Sequence, residues 1–257
     1  MADEAGRAPA KNHYMSTQKE LHLLYGAHPI IELLKAKKRK LYSLYTTPQE
    51  PKLLTKIKAL LHPSTTIHHV TKQELTRRAG SDDHQGLVGY ATAALEIRKK
   101  PFTTDKYPLL VMLDGIHDAR NIGAIVRSAY CTGVDGIVIT QKNSGPLNAA
   151  ALKASAGLAE HAAIYEVSTA AAAITELKQA GYAIYLAMLG GKSVSEVSFK
   201  TPAVIVIGNE GYGVSSEIAS AGTRVMLPQR TKDISYNASV AAGILLFIAA
   251  QQCGKLG

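Results

Sequence analysis

The strongest constraint on the fold is the alternation of short apolar runs with helical segments through the second half of the chain. The apolar runs, rich in branched residues, lie at 109–113, 136–140, 182–188, 203–207 and 224–227. Helices are predicted between and after them, over 121–132, 148–156, 169–180 and 237–252. Strands without polar alternation are buried on both faces, so they need helices above and below a parallel sheet. The pattern therefore predicts an α/β domain over residues 107–257.

The first part of the chain predicts a separate, smaller α/β domain over residues 21–95. Its predicted helices lie at 28–35, 51–61 and 72–79, and its predicted strands at 41–45, 67–70 and 86–92. Residues 96–106 carry charges and a proline without periodicity, and they are predicted to be a linker. Residues 1–20 are predicted to be a disordered tail without a secretory signal, and Met15 is an alternative start.

The charge of the chain is concentrated in the first domain. Residues 1–106 hold 18 Lys and Arg against 10 Asp and Glu, whereas residues 107–257 hold 11 against 10. This asymmetry favours a basic module that meets a polyanion, although a Lys-rich face can also serve solubility alone. Two cysteines exclude a disulfide framework and fit a reduced, cytosolic setting. No apolar run is long enough to span a membrane, and no histidine spacing indicates a metal site.

Three loops after predicted strands hold the candidate chemistry, because ligands of open α/β sheets bind beyond the carboxyl ends of the strands. The first, LDGIHDARNIGAIVRSA, contains Asn121 as a candidate helix cap and Arg127 six residues later, which we expect near Asn121 in helical angle. The second, VIVIGNEGYGVSSEI, has a GxxGxG spacing with Glu210, which disfavours a pyrophosphate site and fits a cationic or hydroxyl-bearing ligand. Each loop alone also has an ordinary structural interpretation.

The third loop lies in LPQRTKDISYNASVAAGILLF, where Ser235, Asn237 and Ser239 precede an apolar helix. Taken together, the three segments resemble the three motifs of the SpoU (TrmH) family of RNA ribose 2′-O-methyltransferases, which belong to the SPOUT class. The resemblance covers residues 21–257. The segments LYGAHPIIELL, HQGLVGY and ALKASAGLAEHA resemble the branch that includes the bacterial 23S rRNA guanosine methyltransferase.

The resemblance implies a fold and a reaction that composition could not indicate. It implies a parallel-sheet SPOUT domain with a deep trefoil knot, although knots are almost absent from proteins. It also implies S-adenosylmethionine as methyl donor, RNA as substrate, no metal, and a homodimer through the C-terminal domain. The apolar face expected to form that dimer consists of Ile244, Leu245, Phe247 and Ile248.

The resemblance assigns roles residue by residue. The catalytic candidates are Asn121, Arg127, Glu210, Ser235 and Asn237. The candidates for contact with the methyl donor are Ile207, Gly208, Gly211, Leu227, Ile234 and Tyr236. The candidates for RNA binding follow instead from the charge of the first part of the chain, and they are the basic cluster Lys37, Lys38, Arg39 and Lys40. Arg127 acts either as a base or as a stabiliser of the developing alkoxide, and Glu210 positions either Arg127 or its loop.

Two alternatives to an rRNA methyltransferase remain open at this point. The substrate could be tRNA, although the two-domain layout favours rRNA. The protein could instead be a non-catalytic RNA-binding or ribosome-assembly factor on the same fold, which would not bind S-adenosylmethionine. A nucleotide-dependent oxidoreductase is disfavoured because the chain lacks GxGxxG.

Overall fold

The computed structural model describes residues 21–231 and 234–256. The predicted tail 1–20 lies outside these described residues. Within them, no helix combines the length and apolar character that crossing a bilayer requires.

The first sheet has four strands in the order β1-β4-β2-β3. Strand β4 is antiparallel to both of its neighbours, whereas β2 and β3 are parallel. The elements are β1 (His22–Tyr25), α1 (Ala27–Ala36), β2 (Leu41–Thr46), α2 (Leu54–Lys58), β3 (Thr66–His69), α3 (Lys72–Ala79) and β4 (Leu87–Ala91). The short strand β1 was not predicted, and α2 is shorter than the predicted helix 51–61.

The second sheet has six strands in the order β10-β8-β9-β5-β6-β7, and every pairing is parallel. This confirms the α/β class and the parallel sheet. The elements are β5 (Leu109–Asp114), α4 (Ala119–Cys131), β6 (Gly136–Thr140), α5 (Ala149–Ala154), β7 (Ile164–Val167), α6 (Ala170–Gln179), β8 (Ala183–Ser193), β9 (Ala203–Gly208), β10 (Thr223–Met226) and α7 (Ala238–Gln252).

Helices cover both faces of the second sheet, as the uninterrupted apolar strands require. Alternate residues of β5 pack in different cores. Leu109 and Val111 share a core with residues of α4, α5 and α7. Leu110 and Met112 share another with residues of α6. The helices that carry candidate site residues, α4 and α7, therefore lie on the same face of the sheet.

Three features of this part of the chain differ notably from the sequence prediction. Helix α4 begins at Ala119, because the Asp118 side chain caps it by accepting from the Arg120 amide at 2.8 Å. Asn121 is therefore inside the helix and is not its cap. Strand β7 was not predicted, since it is four residues long and its middle residues are half-exposed. Strand β8 continues to Ser193, beyond the predicted end at 188.

The predicted linker 96–106 packs against the second sheet along part of its length. The Arg98 amide donates to the Ile164 carbonyl at 2.7 Å, and Phe102 is buried in the core on the α6 side. The segment is therefore attached to the second sheet and is not a free connection between the two sheets.

A buried ion pair joins the two parts of the chain and corrects one site prediction. The Arg39 guanidinium donates through Nε and Nη2 to the Glu160 carboxylate, and through Nη1 to the Ala93 carbonyl at 2.9 Å. The two side chains are only 2% and 1% exposed. The assignment of Arg39 to RNA binding is therefore wrong, because its charge is used inside the protein. A run of basic residues in a sequence does not show which member faces inward.

Candidate active site

A cavity of about 530 Å³ lies at the carboxyl ends of β9 and β10. This is the edge at which ligands of α/β sheets bind. Its walls come from the middle of β8, the loop after β9, the loop after β10 and the start of α7. The lining residues are Ala187–Leu189, Ile207–Val214, Val225–Leu227, Gln229, Ser235–Ala238, Ala241 and Leu245.

The loop after β9 is a tight backbone turn with no space for a side chain at its base. A Cβ added to Gly208 would lie 2.1 Å from both the Gly213 carbonyl carbon and the Val214 nitrogen. Asn209 and Gly213 exchange two backbone hydrogen bonds of 2.9 Å. The close approach therefore requires glycine at 208, and the cavity wall here is mostly main chain.

Two side chains that were not predicted fasten this loop to the end of β5. The buried Asn209 donates through Nδ2 to the Gly115 carbonyl at 2.6 Å, and its Oδ1 accepts from the Gly211 amide at 2.8 Å. The buried Asp114 accepts from the amide of Ser215 at 2.7 Å and from its hydroxyl at 2.9 Å. The sequence did contain signals for these two roles. Asp114 is an acid at the end of an apolar run, and Asn209 is a polar residue in a glycine-rich loop.

The three sequence motifs meet in one hydrogen-bonded cluster at the cavity mouth. Asn121 donates through Nδ2 to Glu210 Oε1 at 2.7 Å, and its Oδ1 accepts from Asn237 Nδ2 at 3.3 Å. The Oδ1 of Asn237 caps α7, accepting from the Ser239 amide at 2.9 Å and from its hydroxyl at 2.6 Å. Glu210 and Asn237 are exposed. Hydrogen bonds within the protein therefore hold the cluster in place, while Glu210 and Asn237 remain accessible to a macromolecule.

Most of the predicted donor contacts line the cavity, and one does not. Ile207, Gly208, Gly211, Leu227 and Tyr236 are lining residues, as are Glu210, Ser235 and Asn237. Ile234 is outside that lining and its side chain is 73% exposed. Its carbonyl accepts from the Thr231 hydroxyl at 2.8 Å, so its contribution is to the shape of the loop.

Arg127 does not lie where the sequence interpretation expected it. Six residues along an α-helix correspond to about 600°, which places Arg127 about 120° around α4 from Asn121. The expectation that the two residues are near in angle is therefore wrong. Arg127 is exposed on the side of α4 that faces away from the core. Glu210 contacts Asn121, so within one chain its carboxylate holds the asparagine rather than the arginine.

The remaining basic candidates lie on the surface, between α1 and β2. Lys37, Lys38 and Lys40 are exposed, and Lys38 Nζ lies 3.8 Å from a carboxylate oxygen of Glu96. Among the described residues, no group of three or more His, Cys, Asp or Glu is arranged to hold a metal ion.

Two protein-family models match most of this chain. Residues 108–247 match the model of the SpoU rRNA Methylase family, and residues 23–96 match that of RNA 2′-O ribose methyltransferase substrate binding. The 23S rRNA (guanosine-2′-O-)-methyltransferase RlmB of Shewanella oneidensis is 30% identical over 247 residues, covering 91% of this chain and 98% of its own.

Solved structures show the same fold. An RNA 2′-O ribose methyltransferase superposes with a TM-score of 0.80 at 21% identity, covering 91% of this chain and 90% of its own. The SpoU methyltransferase AviRb from Streptomyces viridochromogenes, in complex with the cofactor AdoMet, superposes with a TM-score of 0.74 at 20% identity and the same coverages. The resemblance inferred from the three motifs is confirmed. The chain belongs to the SpoU family of RNA 2′-O-ribose methyltransferases.

Proposed function

We propose that this chain transfers a methyl group from S-adenosylmethionine to a ribose 2′-hydroxyl of structured RNA, with a guanosine of 23S rRNA as the first substrate to test. The observation that carries the proposal is the Asn121, Glu210 and Asn237 cluster at the mouth of a cavity walled by main chain. The 30% identity to RlmB supports the choice of 23S rRNA.

The cavity fits the methyl donor in size and chemistry. A volume of about 530 Å³ lies within the range of roughly 300–1,000 Å³ usual for pockets that bind small molecules and cofactors. The main chain of 207–214 offers amide and carbonyl groups, while Leu227, Ala241 and Leu245 supply an apolar wall. S-adenosylmethionine, when bound, supplies a methyl group on a positively charged sulfur. The carboxylate of Glu210 in the lining is compatible with such a cation.

The chain's own residues then have to place and activate the ribose. A 2′-hydroxyl is a weak acid, so an aligned nucleophile and a stabilised negative charge both lower the barrier. Asn121 and Asn237 lie together at the cavity mouth and orient the nucleotide there. Glu210 holds Asn121 in place. A guanidinium group is a strong hydrogen-bond donor and a poor proton acceptor, so we assign Arg127 to stabilising the developing alkoxide and binding a neighbouring phosphate.

The first domain is proposed to hold the RNA. Its exposed basic cluster, without the buried Arg39, consists of Lys37, Lys38 and Lys40, which are available to phosphates. Binding of RNA by such residues releases counterions and is therefore sensitive to salt. A ribosomal RNA substrate also implies action in the cytoplasm.

A homodimer through α7 is part of the proposal. Val240, Ile244 and Phe247 are exposed by 50%, 38% and 53%. Their spacing of four and three residues places them on one face of the helix. Leu245, by contrast, is buried in the core, and Ile248 packs against that core. The proposed dimer face is therefore Val240, Ile244 and Phe247, in place of the four residues expected from sequence.

We also propose a trefoil knot, because of the order in which the chain places the strands of the second sheet. Strand β9 lies between β8 and β5, but the next strand, β10, pairs on the far side of β8. The chain then returns, and α7 packs against α4. The segments 208–214 and 225–229 line one cavity. The returning chain therefore passes close to the loop after β9, as threading requires.

The proposal is tested by mapping 2′-O-methylated riboses in RNA from cells with and without the gene. We expect one ribose, or a small set, to lose its methyl group in 23S rRNA when the gene is absent, and to regain it when purified protein and S-adenosylmethionine are added. If methylation is lost only in tRNA, the substrate is tRNA and not 23S rRNA. Unchanged maps together with no donor binding by calorimetry would favour a non-catalytic RNA-binding protein.

A further inference from the structure

A second cavity, of about 490 Å³, lies where the two sheets meet. It shares no lining residue with the donor cavity. Residues from β1, from the end of α3 and from the start of α5 form its walls, and Arg39 and Arg120 also line it. The lining contains two arginines and His22, and no carboxylate. Because Arg39 is paired with Glu160, the unbalanced charge of this cavity is that of Arg120.

Arg120 lies on the same stripe of α4 as Arg127. Seven residues correspond to about 700° along an α-helix, so the two side chains leave the helix within about 20° of each other and two turns apart. Both are exposed, and Ala124 lies between them. The buried residues Ile122, Ile125, Val126 and Ala129 form the opposite face. The stripe therefore presents two cations to solvent with a small side chain between them.

The first turn of α4 contributes one residue to each of the two regions. Asn121 joins the cluster at the mouth of the donor cavity through Glu210 and Asn237. Arg120, the preceding residue, lines the junction cavity instead. Among the described residues its guanidinium has no carboxylate within 4.0 Å, and the carboxylate of Asp118 is occupied by the Arg120 main-chain amide.

The walls of the junction cavity are held by buried or capped groups. The Arg39 and Glu160 pair ties the first domain to the turn after α5. Asn148 caps α5, its Oδ1 accepting from the Ala150 amide at 3.0 Å. A cleft fixed in this way can bind a flexible strand without first having to be ordered itself.

We propose that this junction cavity is a subsite for the RNA nucleotide next to the one that is methylated, and that Arg120 binds its phosphate. A volume of about 490 Å³ is enough for one nucleotide-sized group. The ring of His22 and the hydroxyl of Ser81, both in the lining, offer stacking and hydrogen bonding to a base. Arg120 then contacts the substrate directly and favours RNA that can bend from the first domain into the active site. The inference rests on the proposed function.

The test is Arg120→Gln in the full chain, with Arg120→Lys as the conservative variant. Binding of a short single-stranded RNA of mixed sequence is measured across a salt series, and methyl transfer is measured on RNA from cells that lack the gene. We expect the KM for RNA to rise about tenfold in Arg120→Gln, as for one lost charge-assisted contact, with kcat changed much less. The log–log salt slope should fall by roughly 0.7, the value for one phosphate on a single strand. Arg120→Lys should restore most of the slope.

The matched control is Lys178→Gln. It removes one exposed positive charge from α6, on the opposite face of the sheet, and should leave both KM and slope unchanged. Equal slopes for Arg120→Gln and the wild type, or equal losses in Arg120→Gln and Lys178→Gln, would overturn the proposal. Donor binding and wild-type methyl transfer report separately on the proposed function. If the wild type binds RNA but transfers no methyl group, that function fails while the phosphate subsite is still decided by the slopes.

Discussion

Asn121 Nδ2 lies 2.7 Å from Glu210 Oε1, although the two residues are 89 positions apart in the chain. The contact joins the first turn of α4 to the loop after β9, and Asn237 extends it to the start of α7. The polar cluster thus connects each of the three motifs to the donor cavity. Its geometry depends on the carboxylate of Glu210 as a hydrogen-bond acceptor.

Replacing Glu210 with alanine should lower kcat for methyl transfer by about a hundredfold, since small misplacements of a positioning group have effects of that order. Glu210→Gln keeps the acceptor oxygen and should lose less than about tenfold. The measurement is the rate at saturating donor and RNA. Glu217→Ala removes another exposed acid, seven residues further along the chain, and should retain the wild-type rate. A fully active Glu210→Ala enzyme would show that the cluster does not position anything that matters to the reaction.

Gly208→Ala should weaken the binding of S-adenosylmethionine by at least about tenfold, or roughly 1.4 kcal/mol. The added Cβ would lie 2.1 Å from main-chain atoms of Gly213 and Val214, so the cavity wall must shift. Calorimetric titration gives the affinity. Gly243→Ala is the control, because its Cβ would meet only Ser128 Oγ, at an ordinary 3.5 Å. If Gly208→Ala binds S-adenosylmethionine with wild-type affinity, donor binding does not depend on this wall of the cavity.

Arg39→Met should lower the free energy of unfolding by about 3–5 kcal/mol, because Glu160 would be left buried and unpaired. The double variant Arg39→Met, Glu160→Met should lose markedly less, since no isolated charge then remains inside. Urea denaturation of the three proteins provides the comparison. If the double variant is as unstable as the single one, packing rather than the charge pair joins the two parts of the chain here.

Phe247→Glu should convert a dimer into a monomer by placing a charge on the exposed face of α7. Light scattering at micromolar concentration gives the mass of each protein. Tyr42→Glu makes a similar change at another exposed aromatic residue, in β2, and this variant should still have the mass of a dimer. A wild-type protein of monomeric mass would remove the dimer from the account.

The sequence predicted the sheet better than the site. Uninterrupted apolar runs specify buried parallel strands, and four of the five predicted runs in the second half lie within one residue of their observed strands at both ends. The fifth run begins beside Ala183, the first residue of β8, but β8 continues past Met188 through polar and glycine residues. That continuation depends on pairing with β10, a long-range contact with no local signal.

The motifs identified the residues of the site but not their partners. Asn121, Glu210 and Asn237 meet as a cluster, which local patterns alone could not show. Arg39 was misassigned because its buried partner, Glu160, is 121 residues away. Asp114 and Asn209 were missed because their roles depend on main-chain groups of loops that come together only in the fold.

The most direct test of the central claim compares wild type and Arg127→Ala in donor binding and in methyl transfer to ribose. Arg127 lies on the outer stripe of α4 and does not line the donor cavity. The account predicts that the variant binds S-adenosylmethionine within a few-fold of wild type, while nucleoside analysis of the treated RNA finds 2′-O-methylribose only with wild type. Substantial 2′-O-methylation by Arg127→Ala, or wild type that binds donor and methylates no ribose, would contradict it.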